Sequence, residues 1–354
     1  MLKILAPLII VAVLMAVPFF GIKAGMDAVF GVYIPYAAFA VFIVGFVWRI
    51  LSWAKSSVPF NITTTAGQQK SLPWIKAQNL ENPSNKLGLI GRMALEILVF
   101  RSLFRNTKAE LTKEGNLAYG SDKTLWLFGL IFHWTFLIVI VRHLRFFSEP
   151  ILPFLPMLET MDSLFQIGAP TLYLTNLGLV LGATFLFARR IIIPQMRYLS
   201  LAADYFPLFL ILAIAITGMG MRYGASVMNY LGMDNLALAR VDVNGVKILT
   251  MSLLSFSPVV PKNIGPLFYI HFFLVASLMI YFPMSKLMHA GGIFMSPTRN
   301  MQGNSREFRH ENPWGKDMKV KVHTYQEYED DYRKMMAGAG LPLEKPLDES
   351  SEKE

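Results

Sequence analysis

The stretch LFGLIFHWTFLIVIVRHLRFFSEP, at residues 127–150, is apolar enough to cross a membrane as one helix, yet it contains two histidines. His133 and His143 lie ten residues apart within it. Ionisable side chains inside a membrane span are costly and usually have a function. This stretch therefore predicts both a transmembrane helix and a site that uses its histidines.

A second apolar stretch, YIHFFLVASLMIYFPMSKLMHAGG at residues 269–292, contains His271 and His289, eighteen residues apart. The two stretches together hold four of the six histidines of the chain. A single histidine in a span can simply form a hydrogen bond to a neighbouring helix. Four histidines in two spans are too many for that explanation and indicate a functional site.

The composition is that of a helical membrane protein. The chain has 354 residues, of which 54% are hydrophobic and 16% are charged, and soluble domains rarely combine these values. Six apolar runs are long enough to cross a bilayer. They lie at about 2–20, 31–53, 124–147, 170–192, 204–222 and 265–288. We therefore expect an all-α fold, a polytopic bundle of six transmembrane helices.

The chain contains no cysteine. It therefore has no disulfide, no cysteine-ligated iron–sulfur cluster and no zinc ribbon. If the protein carries electrons, the metal that does so must be bound by histidine. The net charge of +9 comes from Lys and Arg clustered in loops beside the spans, which favours membrane lipid over nucleic acid as a partner.

The distribution of basic residues orients the bundle. Residues 54–123 carry ten Lys or Arg, whereas residues 148–169 carry none. The positive-inside rule then places 54–123 and both chain termini on the cytoplasmic side of the cytoplasmic (inner) membrane. The first apolar run is long for the core of a signal peptide, so we expect an uncleaved anchor.

These features divide the chain into four parts. Residues 1–53 form two N-terminal spans, 54–123 a basic cytoplasmic segment, 124–295 a four-helix core, and 296–354 a cytoplasmic tail that docks a partner. Within the basic segment, residues 86–108 have the pattern of an amphipathic helix that lies on the membrane surface or docks a partner. Its apolar and basic positions are Leu87, Ile90, Ala94, Ile97 and Leu98, and Arg92, Arg101 and Arg105.

The tail is polar but contains several aromatic residues, which favour contact with a partner. These are Trp314, Tyr325, Tyr328 and Tyr332. Residues 321–336 are expected to form a short helix. The two remaining histidines, His310 and His323, are interpreted as ordinary surface residues.

The spacings predict how the four histidines meet. In a helix, ten residues rise about 15 Å and eighteen rise about 27 Å. The third span runs outward and the sixth inward, so we expect His143 to pair with His271 near the outer surface. His133 then pairs with His289 toward the cytoplasm. The two rises differ by about 12 Å, which a haem between its ligands tolerates better than a bare metal ion does.

Charged residues lie beside the histidines of both stretches. Arg142 and Arg145 flank the second histidine of the first stretch, and Lys286 precedes the second histidine of the other. They are candidates to contact haem propionates or a quinone, although arginines at a span end also extend to the headgroups. Asp162 is a candidate proton acceptor in a quinone pocket near the surface.

The two stretches resemble the haem-binding helices of the gamma subunit of respiratory nitrate reductase, a di-haem cytochrome b. That family has the same ten- and eighteen-residue spacings and a Phe-Pro-x-Ser-basic-Leu-x-His ending, which residues 282–289 match. The resemblance covers roughly residues 124–300 and implies two haems b. The axial ligands that it implies are His143 and His271 for the outer haem, and His133 and His289 for the inner haem.

The additional regions resemble a second family. The extra N-terminal span, the long basic segment and the long tail are similar to DsrM, the membrane cytochrome of the DsrMKJOP complex of sulfate reducers and sulfur oxidisers. This family is similar in turn to the cytochrome b of membrane-bound heterodisulfide reductase. The resemblance implies menaquinone as the quinone and a cytoplasmic iron–sulfur partner of the DsrK type, beside other subunits of a membrane redox complex. The quinol-site lysine of nitrate reductase gamma subunits has no match in residues 148–169.

We therefore expect an electron-transfer subunit of a quinol-oxidising complex in dissimilatory sulfur metabolism, with no catalytic residue of its own. We expect quinol oxidation near the outer haem to send electrons inward to the iron–sulfur partner. The reverse direction, quinone reduction, is the alternative that the sequence leaves open. A nitrate reductase gamma subunit, which has a different partner, is the first alternative. A proton-relay transporter predicts no haem and carboxylates within the spans. A purely structural anchor leaves the four histidines unexplained.

Overall fold

The structure, a computed structural model, describes residues 2–56, 58, 61–62, 67–71, 74–112, 114–163, 172–230, 241–304 and 323–347. These residues form thirteen α-helices and two β-strands. The helices are α1 (Leu2–Lys23), α2 (Ile34–Ala54), α3 (Lys86–Val99), α4 (Arg101–Phe104), α5 (Lys123–His143), α6 (Phe154–Asp162), α7 (Leu174–Ile192), α8 (Pro194–Leu199), α9 (Ala202–Tyr230), α10 (Val243–Leu254), α11 (Pro266–Tyr281), α12 (His289–Gly292) and α13 (Tyr325–Gly338). The strands are β1 (Thr107–Leu111) and β2 (Leu117–Ser121).

The prediction of six transmembrane helices is confirmed. Within the described residues, α1, α2, α5, α7, α9 and α11 are long and apolar enough to cross a membrane. A π-helical turn at Val29–Tyr33 extends α2 at its start, and a 3₁₀ turn at Leu144–Phe146 extends α5 at its end. The fold is thus all-α apart from the antiparallel hairpin of β1 and β2, in which Thr107 pairs with Ser121.

The spans pack as a chain of neighbouring helices. Helix α5 packs on α7, α7 on α9, and α9 on α11, while α1 and α2 cover α11. Helix α5 carries His133 and His143, and α11 carries His271 and leads toward His289. These two helices are not among the closely packed pairs. The bundle therefore connects the two histidine-bearing elements through α7 and α9.

Small residues allow the closest of these contacts. A Cβ added at Gly182 of α7 would lie 2.9 Å from the Cβ of Phe132 and 3.0 Å from its Cα. At Gly178, one turn earlier, an added Cβ would lie 2.7 Å from Thr135. Close packing of glycine against a neighbouring helix is a common way for spans to associate, because lipid provides no hydrophobic driving force between them. Glycine at these positions sets the distance between α5 and α7.

The sixth span is not one helix as far as His289, so that prediction is wrong. Helix α11 ends at Tyr281, a 3₁₀ turn covers Phe282–Met284, and Ser285 is extended, with φ −115° and ψ 176°. A second 3₁₀ turn at Lys286–Met288 then leads into α12. The physical reason is Pro283, which cannot donate a backbone hydrogen bond and interrupts the helix. The helical rise calculated from eighteen residues does not apply to this segment.

The stretch predicted as one amphipathic helix over 86–108 is divided. Helix α3 ends at Val99, and the next residue, Phe100, has a left-handed φ of 51°. The chain then continues through α4 into β1. The burial is the reverse of a simple amphipathic helix: Arg92 and Glu96 are buried, whereas Leu87 is 82% exposed and Ile90 is 65% exposed. Burial lowers the pKa of the Arg92 guanidinium. The exposed apolar side faces outward from the chain, where lipid or another protein would cover it.

The beginning of the predicted tail packs on the segment between α2 and α5. Asn61 Nδ2 donates to the Met301 carbonyl at 2.8 Å, and the Gly303 amide donates to the Pro83 carbonyl at 2.9 Å. Residues 301 and 303 of the predicted tail therefore contact the predicted cytoplasmic segment. The aromatic residue Trp314 and the histidine His310 lie outside the described residues.

Helix α13 is held in a local unit with the residues that follow it. Thr324 and Glu327 form a reciprocal cap at its start. The buried carboxylate of Glu329 accepts hydrogen bonds from the Glu344 amide at 3.0 Å and the Lys345 amide at 3.1 Å. The hydrogen bond from the Glu344 amide lowers the pKa of Glu329 most, and the Lys345 amide and Arg333 lower it further, against the opposing effect of burial. One outward face of α13 is aromatic and consists of Tyr325, Tyr328 and Tyr332.

Replacing Gly182 by alanine should weaken the bundle by about 1–3 kcal/mol, because the new Cβ meets backbone and side-chain atoms of Phe132. Gly91 in α3 is the matched control, because an added Cβ there meets nothing within 4 Å. Thermal unfolding in detergent, followed by circular dichroism, should show a lower midpoint for Gly182→Ala alone. Equal midpoints for both variants would show that α5 and α7 are not closely packed at this position.

Lowering the pH should release the segment that follows α13. The folded state lowers the pKa of Glu329, so its stabilising contribution is present above the ordinary glutamate value and is lost as the pH falls through the folded-state value. Hydrogen exchange at 341–347, corrected for intrinsic rates, should rise on acidification in the wild type. In Glu329→Gln it should already be fast at neutral pH. Asp331→Asn, an exposed carboxylate of the same helix, should behave like the wild type.

Candidate functional site

The structure brings the four histidines together in two pairs. The imidazole centroids of His143 and His271, the first pair, lie 6.3 Å apart with ring planes 14° from parallel. Those of His133 and His289, the second pair, lie 6.0 Å apart with planes at 81°. The partners are those expected from the direction of the spans. The interruption after α11 changes the path of the chain to His289, so the depth difference calculated for two straight helices does not apply.

The separation within each pair fits a metal bound between the two rings. Imidazole nitrogens bind metals at about 2 Å, which places two ring centroids on opposite sides of one ion about 6 Å apart. Among the described residues, no group of three or more His, Cys, Asp or Glu could hold a metal ion. Two protein ligands per ion are therefore available here, and the other ligands must come from a cofactor. Haem, which supplies four nitrogens and takes axial imidazoles, has this requirement.

The hydrogen bonds of the imidazoles leave the same nitrogen available in every ring. In three of them, Nδ1 lies within hydrogen-bond distance of a backbone carbonyl, to which it can only donate. The contacts are His133 to Gly129 at 2.7 Å, His143 to Val139 at 2.6 Å, and His289 to Lys286 at 2.8 Å. A proton on Nδ1 leaves Nε2 with a lone pair, the form in which a neutral histidine binds a metal.

The fourth ring reaches the same state through α9. His271 Nδ1 lies 3.0 Å from the hydroxyl of Thr217, and that hydroxyl donates to the Ala213 carbonyl at 2.8 Å. The Thr217 oxygen therefore accepts from His271 Nδ1. A Cβ added at Gly218 would lie 3.2 Å from His271 Cε1, so a larger residue there would displace the ring. Neither Thr217 nor Gly218 was identified from the sequence, where the signal for them is a Thr-Gly step within an apolar span.

The second pair is bordered by the turn between α3 and α4. The ring of Phe100 lies 5.0 Å from the ring of His133, edge to face. Two tryptophans of α5 anchor this turn, since Trp126 donates to the Val99 carbonyl at 2.7 Å and Trp134 to the Leu98 carbonyl at 2.9 Å. The segment between the second and third spans thus reaches the histidine of the third span. No local pattern in the sequence predicted this contact.

The Phe-Pro-x-Ser-Lys ending of the second stretch forms a turn that neighbouring elements hold in place. Ser285 caps the 3₁₀ turn before His289 by accepting from the Leu287 amide at 3.2 Å. Pro283 packs against Gly45 of α2, where an added Cβ would lie 2.8 Å from the proline ring. Lys286 pairs with Asp204, at the start of α9, at 2.7 Å. These contacts hold His289 opposite His133.

The charged residues proposed from the sequence are each paired with a carboxylate. Arg142 is buried in an ion pair with Asp162 at 2.8 Å, and Arg145 pairs with Glu159 at 2.7 Å. Asp162 is also buried and accepts from both the amide and the hydroxyl of Thr175, at 2.8 and 2.6 Å. It therefore fixes the start of α7 and is not an exposed proton acceptor in this arrangement.

The guanidinium of Arg222 also lies beside this ion pair, and Arg222 was not identified from the sequence. The guanidinium carbons of Arg142 and Arg222 lie 3.9 and 4.0 Å from the ring centroid of Tyr173. Asn176 joins the group, since it accepts from Arg142 at 2.7 Å and donates to the Tyr223 hydroxyl at 3.2 Å. Two arginines and one aspartate thus meet beside the first pair, whose His143 adjoins Arg142.

Comparison with known proteins is consistent with this site. A sequence profile of the nitrate reductase gamma subunit family matches residues 92–303, more than half of the chain. The Hdr-like menaquinol oxidoreductase cytochrome b-like subunit of Archaeoglobus fulgidus is 42% identical over 296 residues, which cover 82% of this chain and 84% of that protein. The subunit of the same name from Archaeoglobus profundus is 34% identical over 288 residues, which cover 79% of this chain and 81% of that protein.

The predicted relation to the nitrate reductase gamma subunit is confirmed by the profile, whereas the narrower assignment to DsrM stays a prediction. The match includes all four paired histidines, and the spans α1 and α2 precede it. This relation describes a membrane-embedded cytochrome b that transfers electrons. The chain belongs to the nitrate reductase gamma subunit family, together with the cytochrome b-like subunits of Hdr-like menaquinol oxidoreductases.

Proposed function

We propose that the chain is a di-haem b subunit that transfers electrons between menaquinol in the membrane and an iron–sulfur partner in the cytoplasm. The observation that carries this proposal is the presence of two imidazole pairs, at 6.3 and 6.0 Å, in one membrane-spanning bundle. His143 and His271 would hold one haem and His133 and His289 the other. Each bound haem supplies one-electron chemistry at its iron.

The protein's own part is to present four neutral imidazoles with Nε2 directed across a fixed gap. Backbone carbonyls and Thr217 hold the Nδ1 protons, so the rings cannot rotate without losing a hydrogen bond in an apolar surrounding. If both imidazoles of a pair bound one haem iron, no position at the metal would be left for a substrate. The arrangement suits electron transfer rather than catalysis at the metal.

The topology supports a direction of electron transfer across the membrane. By the positive-inside rule, both termini lie in the cytoplasm. The first pair then lies toward the outer surface of the cytoplasmic membrane, and the second pair lies toward its cytoplasmic surface. Menaquinol enters the proposal from the printed name of the relatives, which are menaquinol oxidoreductase subunits. Its oxidation is assigned to the outer end, beside Arg142, Arg145 and Asp162, with protons released outside and electrons passed inward.

The partner is proposed as an iron–sulfur protein of the DsrK, heterodisulfide reductase-like type, within a DsrMKJOP-like complex of dissimilatory sulfur metabolism. Support comes from the Hdr-like name of the relatives and from the large regions outside the spans. The aromatic face of α13, with Tyr328 and Tyr332 52% and 45% exposed, is the docking surface. A nitrate reductase type of partner is less well supported, because α1 and α2 lie outside the matched region.

Replacing any one of the paired histidines by alanine should remove one haem, or make it high spin, and leave the other low spin. Electron paramagnetic resonance should identify the haem affected, because near-parallel rings in the first pair and near-perpendicular rings in the second give ferric irons different anisotropy. The matched control is His323→Ala, an exposed histidine outside the bundle. A paired histidine whose replacement leaves both low-spin signals intact is not a ligand.

The double variant Tyr328→Asp and Tyr332→Asp should lose the iron–sulfur partner on purification while both haem spectra stay unchanged. The two rings lie 4.9 Å apart on the exposed face of α13, and burying two carboxylates in an interface is costly. Tyr119→Asp, at a 69% exposed tyrosine of β2, is the control and should keep the partner. Full retention of iron and of the partner by the double variant would show that α13 does not dock it.

A further inference from the structure

The group formed by Arg142, Asp162, Tyr173 and Arg222 has more positive than negative charge. Both guanidiniums stack within 4.0 Å of the Tyr173 centroid, and Tyr173 itself is only 8% exposed. Arg142 has its ion pair with Asp162 at 2.8 Å. Among the described residues, Arg222 has no carboxylate partner, so the group contains two cations and one anion.

The positive charge of this group is partly buried. The Nε atoms of both Arg142 and Arg222 are buried and have no hydrogen-bond partner within the part of the chain that the structure describes. Guanidinium groups bind planar carboxylates through pairs of parallel hydrogen bonds, and unpaired charged donors in an apolar setting are costly. Donors of this kind, held flat by an aromatic ring, are arranged for an anionic oxygen ligand.

The group lies directly beside the first pair. Thr217 and Gly218 of α9 contact the ring of His271, and Arg222 follows Gly218 by four residues, which is about one helical turn on the same face. On the opposite side, Arg142 adjoins His143 in α5. The two arginines therefore approach the first pair from α5, which carries His143, and from α9, which contacts His271.

We infer that Arg222 and Arg142, which both stack on Tyr173, bind a propionate carboxylate of the haem held by His143 and His271. This inference rests on the proposed function, because it requires a haem at the first pair. Asp162 orients Arg142, and Arg222 supplies the charge that the propionate neutralises. Tyr173 positions the two guanidiniums by stacking with both of them. Arg222 and Tyr173 are thus binding residues that the sequence pattern around the histidines did not identify.

A cation beside the propionate also affects the midpoint potential of the first-pair haem. A propionate that is paired with arginine stabilises ferric iron less than an unpaired one does, because its negative charge is compensated. Arg222→Gln should therefore lower the midpoint potential of the first-pair haem. At the wild-type midpoint, its ratio of reduced to oxidised haem should fall by about threefold to tenfold. The second-pair haem should keep its potential.

The experiment is a redox titration of the purified full-length chain, followed in the haem absorption band, with haem content measured in parallel. The control is Arg145→Gln, which removes the same charge from the same end of the bundle but breaks an existing pair with Glu159. Its effect on the first-pair potential should be smaller. Arg222→Lys keeps the charge and should restore most of the wild-type potential.

Resonance Raman spectra of Arg222→Lys provide a second measurement that does not require the neutral variant to fold. The propionate bending band of the first-pair haem should shift, because an ammonium replaces the planar guanidinium. The inference is overturned by an unchanged band in this variant, or by a first-pair potential in Arg222→Gln that shifts no more than in Arg145→Gln. A wild-type chain that binds no haem at the first pair would instead overturn the proposed function.

Discussion

The constraint on which this structure depends is that an imidazole in an apolar span needs a partner for Nδ1 and a direction for Nε2. A buried donor without a partner costs free energy, so each ring is fixed by a carbonyl or hydroxyl on its own helix or on a neighbour. For His271 that neighbour is Thr217 of α9, which links the sixth span to the fifth. The spacing of about 6 Å between paired rings follows from how α5 and α11 are held apart.

Helices α7 and α9 hold them apart. Glycines allow α7 to approach α5 closely, and α9 packs on both α7 and α11. The second pair needs a further structural support, because the helix that carries His271 ends eight residues before His289. The turn at Pro283 and Ser285, supported by Gly45 of α2 and by the pair of Lys286 with Asp204, performs this task. The N-terminal spans thus contribute to the position of His289, although they precede the matched region.

Much of the fold and of the histidine site could be predicted, because hydropathy and ligand type are local properties. Long apolar runs identify the six spans, and alternating span direction identifies which histidines meet. The continuity of the sixth span could not be read from spacing, since one proline changes the path of the chain. The buried side of α3, the contact of Phe100 with His133, and the position of Arg222 depend on residues far apart in sequence, and no periodic pattern marks them. For the same reason the ion partners of Arg142 and Lys286 became apparent only in three dimensions.

The most direct test of the central claim is a haem determination on the purified full-length chain, combined with oxidised and dithionite-reduced absorption spectra. Two facing imidazole pairs predict two haems b per chain, both low spin in the ferric and ferrous states, with two distinguishable ferric resonance signals. A chain that folds as six spans and contains no haem, a single haem, or haem in a high-spin state would contradict the assignment of the two histidine pairs as axial ligands.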